Sequence, residues 1–362
     1  MHTALSTLTD QVRSAIADAR ALHIRGGGSK DFLGETRQGE MLDTRVLQGV
    51  VSYEPSELVV TVGAGTPLAE LEQLLASKGQ FLPFEPPHFA DGATVGGMVA
   101  AGLSGPARAA SGGVRDFVLG VQMLNGRAQQ LRFGGQVMKN VAGYDVSRLM
   151  VGSLGTLGVI TEVSLKVLPL PVAQATVRFD LDQPTALRQL NVWAGKPLPL
   201  NASCWLREQG QARLYLRLRG AQAAVLAACR DLGGDLVDEA QAQLFWQALR
   251  EHEAPFFAVG ASDCLWRLGV PDTTADLQLA GETLVEWGGA QRWIRASPAQ
   301  AGALREKLDV VGGTASLFRR GADAAGAGTP VFHPLAPAVQ GITDALKKQF
   351  DPAGIFNRPR PA

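Results

Sequence analysis

Hydrophobic positions recur with two different periods, and the changes between them outline the elements of this 362-residue chain. From Met1 to Arg20 apolar residues fall at helical spacing with Asp10, Arg13, Asp18 and Arg20 among them, which predicts an amphipathic helix rather than a signal peptide. Leu22-His-Ile-Arg25 is a short strand that runs into Gly26-Gly-Gly28, and Leu58 to Val62 reads as a buried strand from its β-branched content. Thr66 as N-cap and Pro67 at the first helical position then open a helix. Leu68, Leu71, Leu74 and Leu75 share one of its faces, and Gly79 ends it. Val163, Leu165 and Val167 alternate with Glu162, Ser164 and Lys166, the period of a strand. Two prolines in Lys166-Val-Leu-Pro-Leu-Pro171 break helix and central strand alike, so a domain boundary falls after residue 170.

Beyond the boundary, Ala202, Cys204 and Leu206 alternate toward Gln209-Gly210 while Leu214, Leu216 and Leu218 alternate away from it, a hairpin. Helices are predicted at Gln222–Leu232 and Glu239–Glu251, a strand at Cys264–Leu268, a helix at Ala275–Trp287, a strand at Arg292–Arg295 and a helix at Ala299–Leu308. Two helices end alike, at Leu232-Gly-Gly234 and Val311-Gly-Gly313, each leading into an apolar strand. This pattern predicts a sheet with helices on one face, an α+β domain over 171–330. Gly321 to Gly328 reads as a loop or flexible linker. A last helix, Ala336 to Phe350, leads into Asp351-Pro-Ala-Gly-Ile-Phe-Asn357.

Composition narrows the function. Lys plus Arg and Asp plus Glu each number 34, so no net basic charge favours nucleic acid or an anionic membrane as a general partner. Ala93 to Leu103, nearly uncharged, is too short and glycine-rich to span a bilayer. The reading is a cytoplasmic chain whose membrane association, if any, goes through a partner. Cys204, Cys229 and Cys264 are scattered, so they form neither a disulfide framework nor a complete iron–sulfur ligand set. Neither G-x-G-x-x-G, a full Walker loop, H-E-x-x-H nor G-x-S-x-G occurs, which leaves NAD, ATP, metal and serine chemistry without an anchor.

What stands out is the 42 glycines and the loops they form. Arg25-Gly-Gly-Gly-Ser-Lys30 leaves a strand directly, so successive amides can turn toward one point as an anion-binding nest. Asp91-Gly-Ala-Thr-Val-Gly-Gly-Met98 reads as a loop entering a helix N-terminus, a pattern equally explained by tight helix–sheet packing. Ser111-Gly-Gly-Val-Arg-Asp-Phe117 reads as a loop entering a strand. Lys139-Asn-Val-Ala-Gly-Tyr-Asp145 and Gly152-Ser-Leu-Gly-Thr-Leu-Gly-Val-Ile-Thr161 complete the series.

In this order the loops resemble the flavin domain of vanillyl-alcohol oxidase/p-cresol methylhydroxylase-type (PCMH-type) FAD flavoproteins, over residues 20–170. The full length, including Asp351 to Asn357, is similar to the short FAD-binding subunits of bacterial glycolate oxidases. The resemblance implies an α+β fold. A PCMH-type two-subdomain FAD-binding domain (1–170) precedes a smaller antiparallel, ferredoxin-like cap domain (171–330), and a C-terminal segment (331–362) returns to the flavin domain. It also implies that Arg25, Gly26, Gly27, Gly28 and Ser29 receive the FAD pyrophosphate, that Thr94, Gly96 and Gly97 form the facing loop, and that Gly112 and Asp116 line the next segment. Gly158 and Ile160 would meet the adenine or ribose end. Ser29 stands where covalent members carry histidine, which implies noncovalent FAD, and Leu154 replaces a carboxylate of the catalytic members' G-S-E-G.

The partners implied are a larger FAD-containing subunit, an iron–sulfur subunit and glycolate or another small 2-hydroxy acid. No catalytic base is assigned. His88 and His333 are eligible by their neutral-range chemistry, and Arg319-Arg320 is eligible as a carboxylate holder. Two functional readings stay open: a substrate-oxidising subunit acting within a complex, or an electron-relay or structural subunit with no substrate site of its own.

Overall fold

The computed structural model describes residues 2–135, 145–324 and 328–359. They form a mixed α+β chain in two compact units, one of residues 1–104, 112–170 and 334–362, the other of 105–111 and 171–333. The short excursion of 105–111 into the second unit has no signal in the local sequence.

In the first unit, α1 (His2–Ala17) packs Leu8, Val12 and Ala15 on β1 (Leu22–Arg25) and β2 (Glu40–Asp43). These two strands are parallel, and the returning C-terminus extends them through a parallel bridge between Leu22 and Phe356. A second layer is an antiparallel sheet in the order β3-β4-β8-β6-β7, from β3 (Val50–Glu54), β4 (Val59–Gly63), β6 (Val118–Leu124), β7 (Gln130–Gly134) and β8 (Val159–Lys166). A short pair, β5 (Gln80–Phe81) with β9 (Leu168–Pro169), lies beside it. The sheet buries Val60, Val62, Val121, Val163 and Leu165 against α2 (Leu68–Ala76) and α3 (Val95–Ala101). Leu68, Leu71 and Leu75 of α2 are fully buried there, each stabilising the unit by about 1.5–3 kcal/mol.

The start of α2 differs from the expectation. Pro67 is the N-cap, and the Thr66 hydroxyl accepts instead from the Gly49 amide at 3.0 Å. Closing a neighbouring loop satisfies a donor that local capping would have left orphaned. The 111–117 segment also differs, because it folds into a helical turn before the strand. After α4 (Arg108–Ser111), which belongs to the other unit, α5 (Val114–Phe117) leads into β6. The unit is completed by α6 (Val146–Leu149) and α11 (Pro337–Phe350).

The second unit is one eight-stranded antiparallel sheet. In its first half, β10 (Ala173–Asp180), α7 (Gln183–Ala194), β11 (Leu200–Glu208), β12 (Gln211–Gly220), α8 (Gln222–Leu232) and β13 (Asp235–Leu236) follow one another. Their spatial order is β13-β10-β12-β11. After α9 (Glu239–Glu251), the second half has β14 (Cys264–Gly269), β15 (Thr283–Glu286), β16 (Gln291–Ala296), α10 (Ala301–Val310) and β17 (Thr314–Arg320), ordered β15-β16-β14-β17. Each half therefore repeats the order fourth, first, third, second. They join where Cys204 and Trp205 of β11 pair with Glu286 and Val285 of β15. The repeated Gly-Gly punctuation after α8 and α10 marks the equivalent point of the two halves. The hairpin turns at Gln209 and Gly210, both with positive φ, a geometry whose twist matches the strands.

The helix expected at Ala275–Trp287 does not form. The equivalent of α7 is missing from the second half, and β15 occupies the end of the stretch. The cause is Arg292, fully buried on β16, whose guanidinium donates to the carbonyls of Ala275 (2.7 Å), Gly289 (3.2 Å) and Thr274. A helix would consume the carbonyls of 274 and 275 internally and leave that charge unpaired. Trp287, expected at a helix end, follows β15 in a tight turn, and its indole donates to the Gly105 carbonyl at 3.1 Å.

Beside it, Glu286 is buried and accepts from Trp293 Nε1 (2.7 Å) and Gln291 Nε2 (3.1 Å). Burial raises its pKa to about 7 against the hydrogen bonds and the Arg267 charge, which act the other way. The folded chain thus holds this proton more tightly than the unfolded chain. The stability contributed is full below the ordinary carboxyl range and is lost as pH rises through about 7. Glu286→Gln is expected to leave the unfolding free energy unchanged near about pH 4 and to raise it by about 3 kcal/mol near about pH 8. Urea titrations at both pH values check this, and a variant destabilised at the higher pH refutes it.

Among the described residues, no helix is long and apolar enough to cross a membrane.

Candidate functional site

The site begins where β1 ends. Beyond Arg25 the chain crosses the second glycine loop at a distance that leaves no room for side chains. A Cβ on Gly27 would stand 1.4 Å from the Gly92 carbonyl oxygen, and one on Gly26 would stand 2.4 Å from Thr94 Oγ1. Gly28 then turns with φ +77°. None of the amides of Gly26, Gly27, Gly28 and Ser29 donates a hydrogen bond within the described residues. Four consecutive donors left open on the wall of a cleft are what an anionic ligand requires.

The facing loop has a different economy. Thr94 caps α3 by accepting from the Gly97 amide at 3.2 Å, and the Gly96 amide donates to the Ala64 carbonyl at 2.7 Å. A Cβ on Gly96 would meet Ala64 at 2.7 Å. Thr94, Gly96 and Gly97 do line the cleft, but Gly96 is small because α3 lies against the end of β4.

The third wall joins distant segments. The Asn357 side chain accepts from the Ile24 amide at 2.7 Å and donates to the Leu154 carbonyl at 2.7 Å. A Cβ on Gly155 would collide with that amide nitrogen. The Leu154 amide in turn bonds the Ala100 carbonyl, and the Gly152 amide bonds that of Val99. One asparagine therefore ties the strand end, the 152–158 loop and α3 into one rigid frame. Asn357 is presented by Asp351, whose fully buried carboxylate accepts from the amides of Ile355 and Phe356 and from Lys347.

These walls line one open cleft. Of the residues proposed from sequence it gathers Arg25, Gly26, Gly27, Gly28, Ser29, Thr94, Gly96, Gly97, Gly158 and Ile160. Gly112 and Asp116 do not line it. Asp116 instead accepts from the Gly113 amide at 2.8 Å and closes the start of α5. Most of Lys139–Asp145 lies outside the described residues. Of it, Asp145 caps α6 through the Arg148 amide.

The lining also contains residues the sequence did not single out as site residues, chiefly Lys30, Arg37, Thr44 and Asn357. Asn357 was visible only as part of a C-terminal motif, and Arg37 carried no local signal. Arg25, Lys30 and Arg37 outnumber the one lining carboxylate, Asp31, which pairs with Arg25 at 2.6 Å. Burial depresses the Arg37 pKa, and burial followed by the Arg37 charge keeps His23 below its ordinary value. The cleft is cationic although the chain is neutral, and its residues fit a phosphate-bearing dinucleotide.

The candidate histidines lie elsewhere. His88 Nε2 pairs with Glu72 at 2.9 Å, and His333 sits in the second unit between the Ala315 amide and Asp309. Arg319 and Arg320 line a separate cavity of the second unit.

A glycine cradle with open amides, set between a small parallel layer and an antiparallel sheet, defines an FAD-binding domain, and the family model described as FAD binding domain matches residues 4–134. Glycolate oxidase subunit GlcE of Escherichia coli (strain K12) is 45% identical over 350 residues, 97% of this chain and 95% of that protein. The chain belongs to the GlcE family. Glycolate oxidase subunit GlcD of Bacillus subtilis (strain 168) is 32% identical over 142 residues, 39% of this chain and 30% of its own length. A solved structure of alkyldihydroxyacetonephosphate synthase shares the fold with a TM-score of 0.67 at 16% identity, covering 98% of this chain and 75% of that one.

Proposed function

We propose that this chain is the FAD-binding subunit of a glycolate oxidase complex, a PCMH-type flavin domain carrying a cap of ferredoxin-like halves. The observation that carries this reading is the run of open amides from Gly26 to Ser29 in a cationic cleft. The pyrophosphate would lie against those amides with Arg25, Lys30 and Arg37 balancing its charge, and Gly158 and Ile160 would face the adenosine end. Bound there, FAD supplies a two-electron acceptor for the oxidation of glycolate to glyoxylate. Asn357 and the 152–158 loop keep the cradle rigid, so little conformational freedom is lost on binding. GlcD-type and iron–sulfur subunits are the proposed partners, in the cytoplasm or at the membrane through them. Three scattered cysteines cannot by themselves ligate the cluster that onward one-electron transfer needs.

The flavin is expected to be noncovalent, because the hydroxyl of Ser29 offers no ring nitrogen for a link. Acid precipitation should leave all flavin in the supernatant; a washed pellet that stays yellow overturns this. A second reading, an electron-relay subunit without its own substrate site, is favoured by one observation. No histidine lines the cleft among the described residues. Anaerobic addition of glycolate to the FAD-loaded chain, alone and with its partner subunits, decides between them. Bleaching of the isolated chain places oxidation here, bleaching only in the complex supports the relay or a site shared with a partner, and no bleaching in either refutes glycolate as substrate.

A further inference from the structure

The flavin cleft leaves one sequence feature unused, the adjacent arginines at the end of β17. A register shift opposite Leu265 and Trp266 bends the strand there. Arg319 and Arg320 both line a cavity of about 390 Å³ within the second unit, together with His252, Pro255, Phe257 and Val259. The one carboxylate on its wall, Glu253, is exposed. His252 lies flat on Phe257, ring centres 4.0 Å apart. It stays neutral, first through burial and then through the charges of Arg319 and Arg267, so it adds no charge to the cavity.

The Arg320 guanidinium is only half engaged. Nη2 donates to the Thr329 carbonyl at 2.6 Å, whereas Nη1 is sealed from solvent with no acceptor among the described residues. No ion pair to Arg320 occurs among them either. A buried donor of this kind marks a place for an acceptor that the described residues do not supply. For a guanidinium the strongest acceptor is an oxyanion, which two neighbouring forks can hold at both oxygens.

We propose that this cavity binds a short-chain carboxylate, its oxygens held by Arg319 and Arg320 and its carbon end against Phe257 and Val259. The apolar floor favours a carboxylate with a carbon tail over inorganic phosphate, which would have to strip its water against two hydrophobic walls. The site lies wholly inside the second unit, so it does not depend on the flavin reading.

Calorimetric titration of the full-length chain with glycolate, acetate, inorganic phosphate and neutral ethylene glycol at constant ionic strength tests the proposal. The two carboxylates should saturate one site per chain, and phosphate and ethylene glycol should not. Arg320→Gln and Arg319→Gln should each weaken glycolate at least tenfold with circular dichroism and flavin content unchanged. Arg320→Lys should recover part of the loss. Should the arginine variants fail to fold, Ala258→Trp, at an exposed position on the rim, should block the mouth and abolish binding. Phosphate binding as tight as glycolate, equal affinity in every variant, or no saturable binding overturns the proposal.

Discussion

Gly27→Val is expected to emerge from purification without flavin, its visible flavin absorbance per chain falling to less than a tenth of the parent. The new Cβ would sit 1.4 Å from the Gly92 carbonyl oxygen, well inside any real contact distance. The atom it meets is backbone, so no rotamer change relieves the clash. The two glycine loops have to part, and the open amides of Gly26 to Ser29 lose their common direction. Gly302→Ala is the matched control, because position 302 lies in helix α10 with nothing within 4 Å of a Cβ. That change should keep full flavin and add up to about 1 kcal/mol of stability. Flavin retained by Gly27→Val at the parental ratio, with native circular dichroism, would remove the cradle from the proposed function.

Asp351→Ala should lower stability more than any surface change. Its carboxylate is fully buried and accepts from Ile355 (3.0 Å), Phe356 (2.9 Å) and Lys347 (2.7 Å). Truncation leaves two buried amides and an ammonium without this acceptor, although Lys347 still donates to the carbonyls of Thr156 and Phe356. Breaking a buried pair costs about 3–5 kcal/mol, and the part-exposed lysine puts this case at the lower end. The melting midpoint should fall by roughly 6–12 °C. FAD affinity should fall with it, since the Asp351 turn presents Asn357 to β1 and to the 152–158 loop. A melting midpoint within about 2 °C of the parent would show that the C-terminal turn is held by other contacts. Unchanged FAD affinity in a clearly destabilised variant would separate the turn from the cradle.

Legibility varied with the range of the interactions involved. The hairpin around Gln209-Gly210 and helices α8 and α9 could be read from the chain because periodicity and turn chemistry are local. The 275–287 stretch misled for the opposite reason. Its spacing is helical, but Arg292 on a later strand claims its carbonyls. Thr66 had the chemistry of a helix cap and was taken by Gly49, distant in sequence and adjacent in space. The cleft divides along the same line. Gly26 to Ser29 declared themselves as a strand-to-glycine exit, whereas Arg37 and Asn357 reach the cleft only through long-range pairing, as in the bridge between Arg37 and Pro359.

Sequence alone therefore determined where backbone is bare, where strands and helices alternate, and which family's loop order the chain follows. These properties reside in each residue and its near neighbours. Tertiary structure decided that the four amides from Gly26 to Ser29 are left without partners among the described residues, and that cations from separate segments gather around them in a neutral chain. It also decided that two adjacent arginines share a cavity far along the chain. Hydrogen-bond satisfaction and local charge depend on what the whole fold brings within a few ångströms, and no short stretch of sequence carries that information.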